Sequence, residues 1–136
     1  MLEAAGKAVS AYGEQRPKVV AVTVLTSLGE QDLPAVGVTD TLPIQVTRLA
    51  GLAQSCGLDG VVCSAQEVEQ LKAHCGSDFL AVTPGIRLPG DAVHDQIRVI
   101  TPQMAIAAGS DYLVMGRSIT QAANPTSVIQ RLLSDV

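Results

Sequence analysis

The stretch Cys56-Gly57-Leu58-Asp59-Gly60-Val61-Val62 decides the fold, because its pattern returns twice. It recurs as Cys75-Gly76-Ser77-Asp78-Phe79-Leu80-Ala81-Val82 and as Ala108-Gly109-Ser110-Asp111-Tyr112-Leu113-Val114-Met115. Each copy is a small residue, a glycine, any residue, an aspartate and a short apolar run. A pattern that recurs along a chain marks a repeated structural unit. Glycine supplies the left-handed residue that closes a helix, aspartate suits a tight turn, and the apolar run reads as a buried strand. The unit is helix, turn, strand.

The flanking segments agree. Leu49, Leu52, Ala53 and Cys56 stand at i, i+3, i+4 and i+7, which predicts the apolar stripe of a helix over residues 43–56. Ser64 and Glu67 have the spacing of a capping box straight after the Val61–Cys63 run, and Val68 and Leu71 follow as a helix face. Thr101-Pro102 and Asn124-Pro125 each read as an N-cap followed by proline at the first helical position. The second opens a last helix expected to bury Val128, Ile129, Leu132 and Leu133. Upstream, Lys18–Leu25 is the strongest strand, and residues 2–12 read as a short helix.

A helix followed by four strands alternating with helices demands a parallel sheet with right-handed crossovers. Four β/α units are half of an eight-stranded barrel, whose usual length is about 250 residues. A flavodoxin-like open sheet is the rival, and it would want a fifth strand.

Composition fits this class. With 136 residues, the chain has one ordinary domain's length and can bury about two-thirds of its unfolded surface. Hydrophobic residues make up 47%, charged residues 16% and aromatics only 2%. The core is therefore aliphatic, as in parallel strands buried on both faces. A net charge of −4 with no Lys/Arg run argues against nucleic acid or an anionic membrane as partner. Cys56, Cys63 and Cys75 have no CxxC spacing, and neither His74 nor His94 completes a metal motif, so reduced thiols and no metal are expected. The first residues lack a signal-peptide core, and no apolar run approaches the roughly 18 residues of a membrane span. A soluble, cytoplasmic chain is expected.

In barrels and open α/β sheets alike, function gathers at the carboxyl ends of strands. Thr26-Ser27-Leu28-Gly29 follows the first strand, and Ser64, taken up by capping, follows the second. Thr83-Pro84-Gly85-Ile86-Arg87 follows the third and opens a long polar loop through Gln96 and Arg98. Gly116-Arg117-Ser118-Ile119-Thr120 follows the fourth. Gly116-Arg117 combines bare backbone N–H groups, a helix start and a guanidinium, the ingredients of a phosphate site. A glycine easing a turn beside a solvated arginine fits equally well, and spacing alone leaves both readings open. The Thr83–Arg98 loop is likewise either a functional lid or a surface connection. No Asp or Glu is expected just past a strand outside that loop, which holds Asp91 and Asp95. Lys7 and Lys72 fall on helices and Lys18 at the amino end of its strand, leaving no acid–base or nucleophilic machinery.

The segments AVTVLTS (21–27), CGLDGVVCSAQE (56–67), VTPGIR (82–87), DQIR (95–98), TPQMAIAAGSDYLVMGRSIT (101–120) and NPTSVI (124–129) resemble, in order, the second half of bacterial orotidine 5'-phosphate decarboxylases. The resemblance covers essentially the whole chain. It implies the C-terminal half of a (β/α)8 TIM barrel, residues 1–136 forming one half-barrel segment whose strands are the fifth to eighth. Residues 1–12 would end the helix after the fourth. It further implies decarboxylation of orotidine 5'-phosphate to uridine 5'-phosphate in pyrimidine biosynthesis, with no metal or cofactor.

By the same resemblance, Arg117 and the backbone of Gly116 would hold the 5'-phosphate, with Arg87 assisting and Arg98 on the phosphate side. Gln96 would bridge phosphate and pyrimidine, Thr26 would face the pyrimidine edge, and Pro84 would wall the base. Ile97 stands where relatives often carry a basic residue. The family's D-x-K-x-x-D segment after the third strand, and its Lys after the second, have no counterpart here. No catalytic residue is therefore expected in this chain, and alone it should be inactive. Its partners would be the nucleotide and either a second copy or the N-terminal half, because the strand edges at Val19–Leu25 and Tyr112–Met115 are apolar and unpaired. Two other readings stay open: part of a sister barrel that decarboxylates or builds sugar phosphates, and a non-catalytic phosphate- or nucleotide-binding half-barrel.

Overall fold

A computed structural model of the chain describes residues 1–88 and 98–134. The repeat glycines Gly57, Gly76 and Gly109 all take positive φ, at 77°, 93° and 95°, and each turns the chain from a helix into a strand. The elements are α1 (Leu2–Ser10), β1 (Val20–Val22), α2 (Leu42–Ser55), β2 (Gly60–Val62), α3 (Val68–Cys75), β3 (Leu80–Thr83), α4 (Pro102–Ala107), β4 (Tyr112–Leu113), α5 (Arg117–Thr120) and α6 (Pro125–Ser134). Short 3-10 turns at Gly13–Gln15, Glu30–Val36 and Ala65–Glu67 join some of them. Three of the caps read from sequence form. Ser64 Oγ accepts from Gln66 N while Glu67 Oε2 accepts from Ser64 N; Thr101 Oγ1 accepts from Met104 N, and Asn124 Oδ1 from Ser127 N.

The strands pair in parallel in the order β1-β2-β3-β4. Right-handed crossovers that always step in one direction place their helices on one side of the sheet. A flavodoxin-like sheet reverses its strand order, and this one does not, so the barrel-type winding stands. Register sorts the side chains. Ala21, Val61 and Ala81 lie side by side facing the helices, with Val61 and Ala81 fully buried. They meet Val46, Ala50 and Ala53 of α2 and Val68 and Leu71 of α3 in one cluster with Leu58 and Phe79. Each buried Val or Leu there contributes roughly 1.5–3 kcal/mol.

The opposite face carries Val22, Val62, Val82 and Tyr112. It is not buried as the aliphatic composition led us to expect: Val22 and Tyr112 are each 57% exposed. Four strands cannot curl far enough to cover their own inner face, which a closed barrel fills with side chains. The same incompleteness corrects the last helix. None of its residues is buried, and Ile129 and Leu133 are exposed despite the amphipathic spacing. In α2 the stripe falls on Leu42, Val46, Ala50 and Ala53 while Leu52 is exposed, a phase set by a helix start at Leu42. The outer strands are shorter than their apolar runs. Beyond Val22 the pairing ends with Thr23 N donating to Val62 O, because β2 itself stops at the Ser64 cap.

The repeat aspartates do more than turn the chain. Asp59 N donates to Val19 O while Asp59 Oδ2 accepts from Val19 N at 2.8 Å. Asp111 repeats this between β3 and β4, donating to Ala81 O and accepting from Ala81 N at 2.7 Å. Each carboxylate also meets a cation: Arg16 doubly and Lys18 at Asp59, and Lys72 at Asp111. These clamps lie at the amino ends of the strands, so Lys18 and Lys72 serve stability.

The hydrogen-bonded Arg16 guanidinium holds the Asp59 carboxyl below its ordinary range, outweighing burial. A lowered folded pKa means that the unfolded chain takes up the proton first as pH falls. The stabilisation is complete above about pH 4 and is lost as pH drops through the folded value. Urea unfolding should therefore show stability declining below about pH 4, and Asp59→Asn should flatten that decline. Identical pH profiles for the two proteins would rule the clamp out.

Candidate functional site

The carboxyl ends of β1, β2 and β3 converge on a cavity of about 200 Å³. Val22 and Val62 form its apolar floor, with Cys63 beside them, and Thr26, Ser27 and Pro84 stand around it. Thr26 reaches this place because β1 leaves the sheet after Thr23 and turns back, Leu28 N donating to Leu25 O at 2.9 Å. Pro84 directly follows β3. Two residues expected to contact a pyrimidine, 58 positions apart in sequence, thus share one cavity. Burial, reinforced by the nearby Glu67 charge, pushes the Cys63 thiol up to about 12. It is a neutral wall group at physiological pH, not a nucleophile.

The residues expected to hold phosphate are not among that cavity's lining. Arg87 is buried, its N–H donating to Ile100 O and its Nη1 to Ile86 O, while its Nε meets no acceptor among the described residues. Ile86 bridges to Ile100 and belongs to a small cluster with Ala65 and Ala105, against which Leu113 and Met115 pack. Arg87 directly follows Ile86 of that cluster, and Gly116 directly follows Met115, which packs against it. Gly116 is the N-cap of α5, its carbonyl accepting from Ile119 N and Thr120 N, and nothing lies within 4 Å of where its Cβ would be. Arg117 is half-buried at the first position of α5. Gln96 falls outside the described residues, as do Asp91, Asp95, His94 and Ile97.

One group differs from its sequence reading. Arg98, expected on the phosphate side, is 7% exposed and ion-paired with Glu67, itself 6% exposed. Glu67 is thus a carboxylate five residues past β2, where no acid outside the polar loop was expected. Its capping role had accounted for only one of its oxygens. Burial pushes the Glu67 carboxyl up, against the opposing pull of Arg98. The available signal was a second acceptor oxygen at a strand tip, left over after the cap was satisfied.

Residues 1–132 match the family model described as orotidine 5'-phosphate decarboxylase / HUMPS family. The chain belongs to this family. An orotidine 5'-phosphate decarboxylase of Legionella pneumophila (strain Paris) is 56% identical over all 136 residues, which make up 59% of that protein. One from Actinobacillus pleuropneumoniae serotype 5b is 54% identical over the same span. The chain therefore covers about three-fifths of the length of the curated relatives it matches. The crystal structure of an orotidine 5'-phosphate decarboxylase from Lactobacillus acidophilus superposes with a TM-score of 0.80 at 37% identity, covering 99% of this chain and 57% of that one. The Pyrococcus horikoshii enzyme, at 16% identity and TM-score 0.61, shares the fold. Against these orotidine 5'-phosphate decarboxylase barrels, the four-stranded sheet is half a barrel.

Proposed function

We propose that this chain is the nucleotide-gripping half of an orotidine 5'-phosphate decarboxylase, and that the reacting cation comes from the other half of the barrel. The cavity that unites Thr26 and Pro84 at the strand tips carries this reading: an apolar floor and wall suit the flat face of a pyrimidine, and the Thr26 side offers it polar atoms. Phosphate falls to Gly116 and Arg117, with Arg87 on the same side. The open space at Gly116 lets phosphate oxygens approach the backbone closely, and a guanidinium gives charge-assisted hydrogen bonds to them. Gln96 is assigned to bridging phosphate and base.

None of the three lysines stands at the carboxyl end of a strand. Lys7 lies on α1, Lys18 precedes β1, and Lys72 is bound to Asp111. The chain by itself is therefore proposed to be inactive. It would work within one complete barrel, or beside a second copy, in the cytoplasm; among the described residues no helix is long and apolar enough to cross a membrane. The edges of β1 and β4, and the exposed face bearing Val22 and Tyr112, are the surfaces a completing half would cover.

Arg117→Ala tests the phosphate assignment. Losing one charge-assisted contact of roughly 1.5–3 kcal/mol should weaken uridine monophosphate binding about tenfold or more. Calorimetry on the barrel completed with its first half would read this, and unchanged affinity would remove Arg117 from the site.

A further inference from the structure

We infer that Arg98 is a positioning residue for the ring end of the site: it fixes the stretch Val24–Thr26 above the cavity. The inference rests on the reading of Thr26 as a pyrimidine contact. Once β1 ends, Val24–Thr26 leaves the ladder; Leu25 O accepts from Leu28 N in the turn, and the buried Val24 carbonyl needs a donor from outside the strand. Arg98 supplies it. Its Nη2 reaches Val24 O and Leu25 O at 3.1 Å each, and its backbone N–H points at Thr26 O at 3.4 Å. Its Nη1 donates to Glu67 Oε1. Glu67 is fixed in turn by its other oxygen on Ser64 N at 2.9 Å, where β2 ends.

A continuous chain of contacts thus runs from the end of β2, through Glu67 and Arg98, to three consecutive carbonyls, and Val24, Leu25 and Thr26 all line the cavity. A buried guanidinium needs a counter-charge and several acceptors; Glu67 supplies the first and the cavity-lining Val24 and Leu25 carbonyls accept from Nη2, while Nε meets no acceptor among the described residues. Lysine cannot replace it, because a compact ammonium does not fork towards two carbonyls and a carboxylate at once.

A positioning role at the ring end affects ring contacts and leaves the phosphate grip alone, which separates it from a general loss of structure. The test uses this chain joined to the part of the Legionella pneumophila relative that it does not cover. Affinities for uridine monophosphate and for ribose 5-phosphate, which has the phosphate without the ring, are measured in the parent and in Arg98→Lys. Uridine monophosphate should bind about tenfold more weakly in the variant while ribose 5-phosphate changes by less than about twofold. If Arg98→Lys does not fold, Glu67→Gln, which keeps the cap oxygen and removes the counter-charge, should give the same split. Equal weakening of both ligands, no weakening of either, or failure of both variants to fold would each overturn the inference. Failure of the parent barrel to bind uridine monophosphate would overturn the functional reading beneath it.

Discussion

Gly60→Ala is expected to destabilise the chain by about 3 kcal/mol or more, a large share of a small domain's stability. The reason is steric. A Cβ at Gly60 would stand 2.2 Å from Leu80 O and 2.5 Å from Leu80 Cβ. Gly60 and Leu80 are register partners across the β2–β3 ladder, and Leu80 N donates to Asp59 O immediately beside them. No side-chain rotation relieves the clash, because the nearest atom is backbone; the two strands must part. Gly57 supplies the contrast. It takes φ of 77°, yet nothing lies within 4 Å of its Cβ position. Gly57→Ala should therefore cost only the strained backbone, about 1–2 kcal/mol. Urea midpoints measured side by side check the pair, and equal losses at the two glycines would refute the steric argument.

The β/α order was legible because local signals carried it. The glycine-aspartate repeat announced each turn, and the capping box at Ser64 and the caps at Thr101 and Asn124 marked helix starts without tertiary help. What escaped depended on what lies across from a residue. Val128, Ile129, Leu132 and Leu133 have the spacing of a buried helix face, yet among the described residues Val128 and Leu132 are only partly covered and Ile129 and Leu133 are exposed. Val22 and Tyr112 read as core for the same reason, because hydrophobic patterning records the complete barrel and not the four strands present. The clamps made by Asp59 and Asp111 were hidden because a turn aspartate and a strand-bridging aspartate look alike in sequence. At the site, Thr26 and Pro84 could be named from their places after strands and from family likeness, but their meeting in one cavity is tertiary. The contacts of Arg98 with Glu67 and the Val24 and Leu25 carbonyls were hidden because a guanidinium past a strand end looks the same whether it faces a ligand or folds back onto carbonyls.

The largest functional effect expected is the difference between this chain alone and the completed barrel. Decarboxylation breaks the bond between a ring carbon and its carboxylate, releases carbon dioxide, and leaves an electron pair on the ring that must be stabilised and then protonated. That calls for a cation beside the ring that can also give up a proton. The cations past strand ends in this sequence are Arg87, Arg98 and Arg117, and arginine stays protonated in proteins. Arg98 is occupied by Glu67 and the Val24 and Leu25 carbonyls, and the other two are assigned to phosphate. The direct measurement is the loss of orotidine monophosphate absorbance with the purified 136-residue chain, with and without a polypeptide forming the first four β/α units. The account predicts no turnover above background for the chain alone and measurable turnover for the mixture. Turnover by the chain alone would contradict it.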